Sequence, residues 1–171
     1  MRAIKVLSVV ISLATLTLFS ASETMAQQKS LKEQLVGPWS IVSNETTTKD
    51  GKKGQAFGSK PNGILILDAS GRYATVFGRP DRPKLKESGS VRSDTSAAEF
   101  GEAARAFGAN FGTWSVNEAD KTLTRKYELA LIPNNDKQEL KASVTLVKDE
   151  LKLVSTSAAG TKTEAVYRRA K

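Results

Sequence analysis

The chain has no cysteine and no histidine, and it is sparing with aromatics: two Trp, three Tyr and six Phe in 171 residues. The two zeros remove Ser-His-Asp and Cys-His nucleophile systems, His/Cys zinc or copper sites, and haem held by His or Cys. Disulfides go with them. No metal and no cofactor is expected. What remains is a binding protein, a carboxylate or Tyr/Lys acid-base enzyme, or a scaffold. With 39% apolar and 26% charged residues the chain has the means to bury a core. Its length suits one domain of ordinary size.

The N-terminus supplies a second exclusion. Arg2 and Lys5 precede an uncharged apolar run from Val6 to Ser20, and a small polar stretch ends at Thr24-Met25-Ala26. That order of charged, apolar and small-residue regions predicts a cleaved signal peptide over 1–26. The apolar run is 15 residues long, short of the roughly 20 needed to span hydrocarbon. The mature domain is then 27–171, periplasmic or secreted. Losing Arg2, Lys5 and Glu23 turns a surplus of eight positive charges into seven. No basic run is interleaved with aromatics as single-strand binding requires, so nucleic acid is not an expected partner. A weak contact with an anionic membrane surface is compatible with the charge.

Along the mature chain, Ser30-Leu31-Lys32-Glu33 is a capping-box pattern for a short helix, and Gly37 is placed to stop it. Alternation marks strands over 39–47, 64–68, 72–79, 111–116, 122–131, 138–147, 151–156 and 163–169, separated by turn-like segments. The stretch 79–94, with two prolines and many charges, reads as a loop. Ser96 and Glu99 form a second capping-box pattern, and Phe100, Ala103, Ala104 and Phe107 fall at helical spacing. Eight sequential antiparallel strands with one leading and one inserted helix indicate an all-β up-and-down barrel or a sandwich. A barrel of that size has room inside for one small ligand.

Strand parity names the lining. On 122–129 one face carries Leu123, Arg125, Tyr127 and Leu129, and this face is the apolar one that must point inward. Arg125 therefore falls on the core side, where an unpaired guanidinium is costly without a carboxylate or an anionic ligand. On the first strand Trp39 and Ile41 share parity with Ser43 and Glu45, which makes Glu45 a candidate partner for Arg125. Leu140, Ala142, Val144 and Leu146 continue the lining, with Leu151 and Leu153. Such a mostly aliphatic interior with a few polar groups fits a small-molecule pocket, and it fits equally a filled core with a structural ion pair. Candidate ligand-binding residues are Ile41, Ser43, Glu45, Tyr73, Phe100, Phe107, Trp114, Arg125 and Tyr127. Phe100 and Phe107 either gate a mouth rimmed by Arg79 and Arg82 or plug one end as core.

Several blocks carry a family resemblance: Gly37-Pro38-Trp39, Pro61-Asn62-Gly63-Ile64-Leu65, Asp68 to Arg72, Arg79-Pro80-Asp81-Arg82-Pro83, Phe107-Gly108-Ala109 leading into Phe111-Gly112-Thr113-Trp114, and Ile132-Pro133-Asn134. Together they resemble the bacterial and fungal lipocalin-like domain family over nearly all of the mature chain. The resemblance implies an eight-stranded calyx in which Gly37 and Trp39 mark the closed end, with Arg168 or Arg169 laid over the indole. It implies no activity. The sequence departs from the family pattern at Arg125, where relatives usually have His, and at Asn135, where Trp is expected.

Three functions compete on this reading. The first is an exported barrel that binds a small apolar or amphipathic ligand, with Arg125 meeting an anion. The second is a metal-free cyclase or isomerase using Glu45, Tyr73 or Tyr127 for proton transfer. The third is a ligand-free envelope interaction protein.

Overall fold

The computed structural model describes residues 29–82, 84–85 and 96–171. The signal segment 1–26 and most of the 79–94 loop lie outside the described residues. The chain runs through α1 (Leu31–Leu35), β1 (Gly37–Thr47), β2 (Lys53–Gly54), β3 (Asn62–Leu67), β4 (Arg72–Gly78), α2 (Ala97–Arg105), β5 (Phe107–Asn117), β6 (Thr122–Ala130), a 3-10 turn (Pro133–Asn135), β7 (Glu139–Val147), β8 (Glu150–Thr156) and β9 (Lys162–Arg169). Every neighbouring pair is antiparallel, and β9 returns to pair with β1. The eight long strands thus close into an up-and-down barrel with no free edge, and β2 is a two-residue addition to the end of β1. Closure settles the choice between barrel and sandwich.

Helix α1 forms where its capping box predicts. The Ser30 hydroxyl accepts from the Glu33 amide at 3.1 Å and the Glu33 carboxylate accepts from the Ser30 amide at 2.8 Å. The next free amides, on Leu31 and Lys32, donate to the Glu118 carboxylate at 2.9 Å each. Glu118 sits in the β5–β6 turn, so an acid from the barrel satisfies the helix N-terminus and ties α1 across the closed end. Leu35 is then buried against Trp39, Leu123 and Leu151 in the core.

Two β-bulges govern which side chains point inward. In the β1–β9 ladder Ile41 faces Tyr167 but Ser43 faces Val166, so Val42 is the extra residue. In the β5–β6 ladder Gly112 faces Tyr127 but Phe111 faces Leu129, so Glu128 is extra. Each bulge reverses the parity of everything beyond it. Glu128, turned outward, is held by a bidentate pair with Arg72 that links β6 to β4 across the outer face. Leu129 follows it outward and lies exposed beside Phe111.

Among the described residues no helix is long and apolar enough to cross a membrane.

Candidate functional site

The barrel interior divides into a packed half and a hollow half. Around the closed end, Leu35, Trp39, Ile41, Leu65, Leu67, Trp114, Leu123, Val144 and Leu151 form one buried cluster. Trp39 is wholly buried and its indole N–H donates to the Leu35 carbonyl at 2.8 Å. The Arg169 guanidinium stacks 4.1 Å from its ring centre and donates to the carbonyls of Val36 at 3.1 Å and Gln34 at 2.5 Å. These carbonyls end α1, so one cation covers the indole and the free C-terminal acceptors together. Arg168 points outward and is exposed; of the two arginines expected over Trp39, Arg169 fills the role. Ile41 and Trp114 are core residues here and not part of the cavity lining. Trp114 donates its indole N–H to the Asp68 carbonyl at 2.9 Å.

Away from Trp39 the interior opens into a cavity of about 260 Å³. Its walls are Leu140, Ala142, Leu153 and Ala165, its polar groups are Asn44, Thr46, Asn110, Arg125, Tyr127, Ser155, Ser157, Thr163 and Tyr167, and Phe57 and Phe77 stand with Ala56 at the rim. The two phenylalanines meet edge to face with ring centres 4.6 Å apart. A packed core and a pocket are therefore stacked along one barrel.

Arg125 forms the floor of the cavity. Its neighbour on the same face of β6, Leu123, is wholly buried in the core below, while Tyr127 above it lines the cavity. Arg125 is 8% exposed, and its guanidinium carbon lies 5.6 Å from the centre of the Tyr73 ring. Its Nε is buried with no hydrogen-bond partner. Among the described residues it has no ion pair, and no Asp or Glu lines the cavity. The cavity thus carries one positive charge and no negative one.

Tyr73, Tyr127 and Tyr167 surround this cation. Burial pushes the Tyr73 hydroxyl far above its ordinary range, against the opposing pull of Arg125; burial raises Tyr167 in the same direction. Both phenols are therefore protonated donors at neutral pH. Tyr73 donates to Asn110 Oδ1 at 2.9 Å. Tyr73 and Tyr127 lie with ring centres 6.4 Å apart.

Of the residues expected to line a pocket, the structure brings Arg125, Tyr127 and Tyr73 together. Ser43 and Glu45 do not join them. The Val42 bulge turns both to the outer face, where Glu45 is exposed and accepts from Gln55 Nε2 at 3.0 Å. Asn44 and Thr46 take the inward places. Glu45 is consequently no partner for Arg125 and supplies no carboxylate to the cavity.

Helix α2 neither gates nor plugs the barrel. It buries no residue, and Phe100 is 44% exposed. Phe107 opens β5 at an odd separation from the inward Trp114, so it faces outward, with the Arg82 guanidinium 4.9 Å from its ring. Arg79 pairs with Asp81 on the surface, at 2.8 Å. The aromatics at the rim are Phe57 and Phe77, which helical spacing could not single out. Asn110 was legible by parity, four residues before Trp114 on the same face of β5; Asn44 was hidden by the bulge. Among the described residues no cluster of acidic side chains able to hold a metal is found.

The lipocalin-like domain model matches residues 36–169. The chain belongs to that family, and its closed eight-stranded barrel agrees with the match. No curated protein matches it. Among solved structures it is similar to a redesigned β-barrel (14% identity, TM-score 0.42, covering 84% of this chain and all of that one) and to a redesigned β-barrel bound to DFHBI (16%, 0.41, 82% and all). An uncharacterized protein from Bacteroides eggerthii is similar at 13% identity and TM-score 0.38, over 79% of this chain and 98% of that one.

Proposed function

We propose that this protein is an exported carrier or receptor that holds one small amphipathic molecule in the hollow half of the barrel. The observation that carries the reading is the 260 Å³ cavity itself, lined by aliphatic and aromatic side chains interspersed with amides, hydroxyls and one guanidinium, and seated on a packed core. Its size is slightly below the usual range of roughly 300–1,000 Å³ for drug-sized ligands, so the occupant is a small one. Of the proton-transfer candidates, Glu45 lies outside the cavity and burial holds Tyr73 protonated, so the observations favour binding.

Octan-1-ol, added to isotopically labelled protein, is expected to shift the backbone amide resonances of Asn44, Asn110 and Ala142 while leaving those of α1 in place. Spectra in which neither octan-1-ol nor octanoate moves any lining amide would overturn the reading.

Export rests on the charged, apolar and small-residue order of 1–26. A bacterial host expressing all 171 residues is expected to yield envelope or medium protein whose intact mass begins at Gln27. Recovery of the chain from the cytosol with Met1 to Ala26 still attached would contradict it.

A further inference from the structure

We infer that the ligand bears a single carboxylate head, and that this head enters first and is bound at the cavity floor by Arg125. The inference rests on the small-molecule reading above and adds the chemical class and orientation of the occupant. A guanidinium that is 8% exposed, with its Nε buried and unpartnered, keeps at least one strong donor aimed at nothing. Desolvated cations of this kind are normally paired. Here every nearby carboxylate is elsewhere: Glu128 faces outward with Arg72, and Glu45 faces outward with Gln55.

The neighbouring groups are donors too. The Tyr73 hydroxyl occupies Asn110 Oδ1, which leaves the Asn110 NH₂ to donate to the cavity. The Asn44 side chain is buried in the lining and makes no hydrogen bond among the described residues. The planar guanidinium fork suits the two oxygens of a carboxylate, and the Asn110 and Asn44 amides belong to the same lining without contacting it. Orientation follows from depth. Arg125 adjoins the packed core beside its β7 partner Leu140, whereas Leu153 and Ala165, then Ser155, Thr163 and Thr46, and the Phe57–Phe77 pair line the cavity farther out. A short acyl or aryl tail therefore points outward past Leu153 and Ala165 toward the two phenylalanines, with the hydroxyls of Thr46, Ser155 and Thr163 on one wall. At ≈ 30 Å³ per water-sized unit, 260 Å³ admits a molecule of about nine heavy atoms.

The test compares octanoate, octan-1-ol and octylamine, which share a tail and differ in head charge. Calorimetry or the same amide shifts on the intact mature domain give the three affinities, and the Arg125 Nε–H resonance reports the contact itself. Octanoate is expected to bind about ten- to a hundredfold more tightly than octan-1-ol, to shift the Nε–H resonance, and to exceed octylamine by more. R125Q is expected to abolish that preference, bringing the octanoate-to-octan-1-ol affinity ratio to about one. R125K, which retains charge without the fork, is expected to preserve part of it and serves if R125Q does not fold. Equal affinities for octanoate and octan-1-ol, or a preference for octylamine, would overturn the anion assignment and leave the binding reading standing. Silence from all three probes would remove both.

Discussion

Gly112→Ala is expected to destabilise the barrel by about 3 kcal/mol, at the upper end of overpacking costs, and to abolish binding in the cavity. A Cβ at this position would stand 2.0 Å from the Lys126 carbonyl oxygen and 2.9 Å from the Glu128 amide nitrogen. Both are backbone atoms of the facing strand, so no rotamer relieves the clash. The strand has to move, and what moves is the bulge at Glu128 that sets the register of β6. With that register go the inward positions of Tyr127 and Arg125. Gly101→Ala on the exposed helix α2 is the control: its nearest neighbour would be the flexible end of Arg105 at 3.5 Å. There the change should gain about 0.5–1 kcal/mol from helix propensity. Urea unfolding of both variants decides the matter; a Gly112→Ala protein as stable as the parent and still binding octanoate would refute the role assigned to the bulge.

Trp39→Ala is expected to cost about 3–5 kcal/mol, the range for deleting a fully buried aromatic. The side chain is wholly buried, and its removal strands the Leu35 carbonyl it serves and the Arg169 guanidinium stacked on it. For a domain of this size the melting temperature should fall by about 10 °C. Trp39→Phe keeps an aromatic face for Arg169 but loses the N–H donor, so it should cost distinctly less. A loss confined to a degree or two in Trp39→Ala, measured by calorimetry, would mean that the closed end is held by something other than this stack. Cavity binding is expected to survive in the folded fraction, because the packed half only supports the hollow one.

The closed end was largely readable in the amino-acid order. Ser30 and Glu33 make the helix cap that their spacing requires, and Trp39 meets an arginine from the last strand as the family resemblance implies. Arg169 rather than Arg168 fills that place because β9 is read in twos, and Tyr167 and Arg169 share the inward face. The open end was less readable. Two extra residues, Val42 and Glu128, carry no local sign that distinguishes them from their strand neighbours, yet each reverses the parity beyond it. Ser43, Glu45 and Leu129 thereby take the face opposite to the one that strict alternation gives them. The spacing of Phe100 and Phe107 pointed to a buried stripe, but the helix ends at Arg105 and Phe107 already belongs to β5.

Composition and alternation alone made this a disulfide-free all-β domain, barrel or sandwich, with one arginine on the inward face of a strand. Local period and residue chemistry suffice for that, since a strand that carries Leu123, Arg125 and Tyr127 on one side has only one apolar face to bury. Whether Arg125 would find a carboxylate depended on closure. The pairing of β1 with β9, and the bulge within it, turn Glu45 out and Asn44 in. Register across a closed ladder is a property of two strands and a ring of neighbours, not of either strand alone. That is why the charge inside could be read from the sequence, whereas its lack of a partner, and the cavity above it, could not.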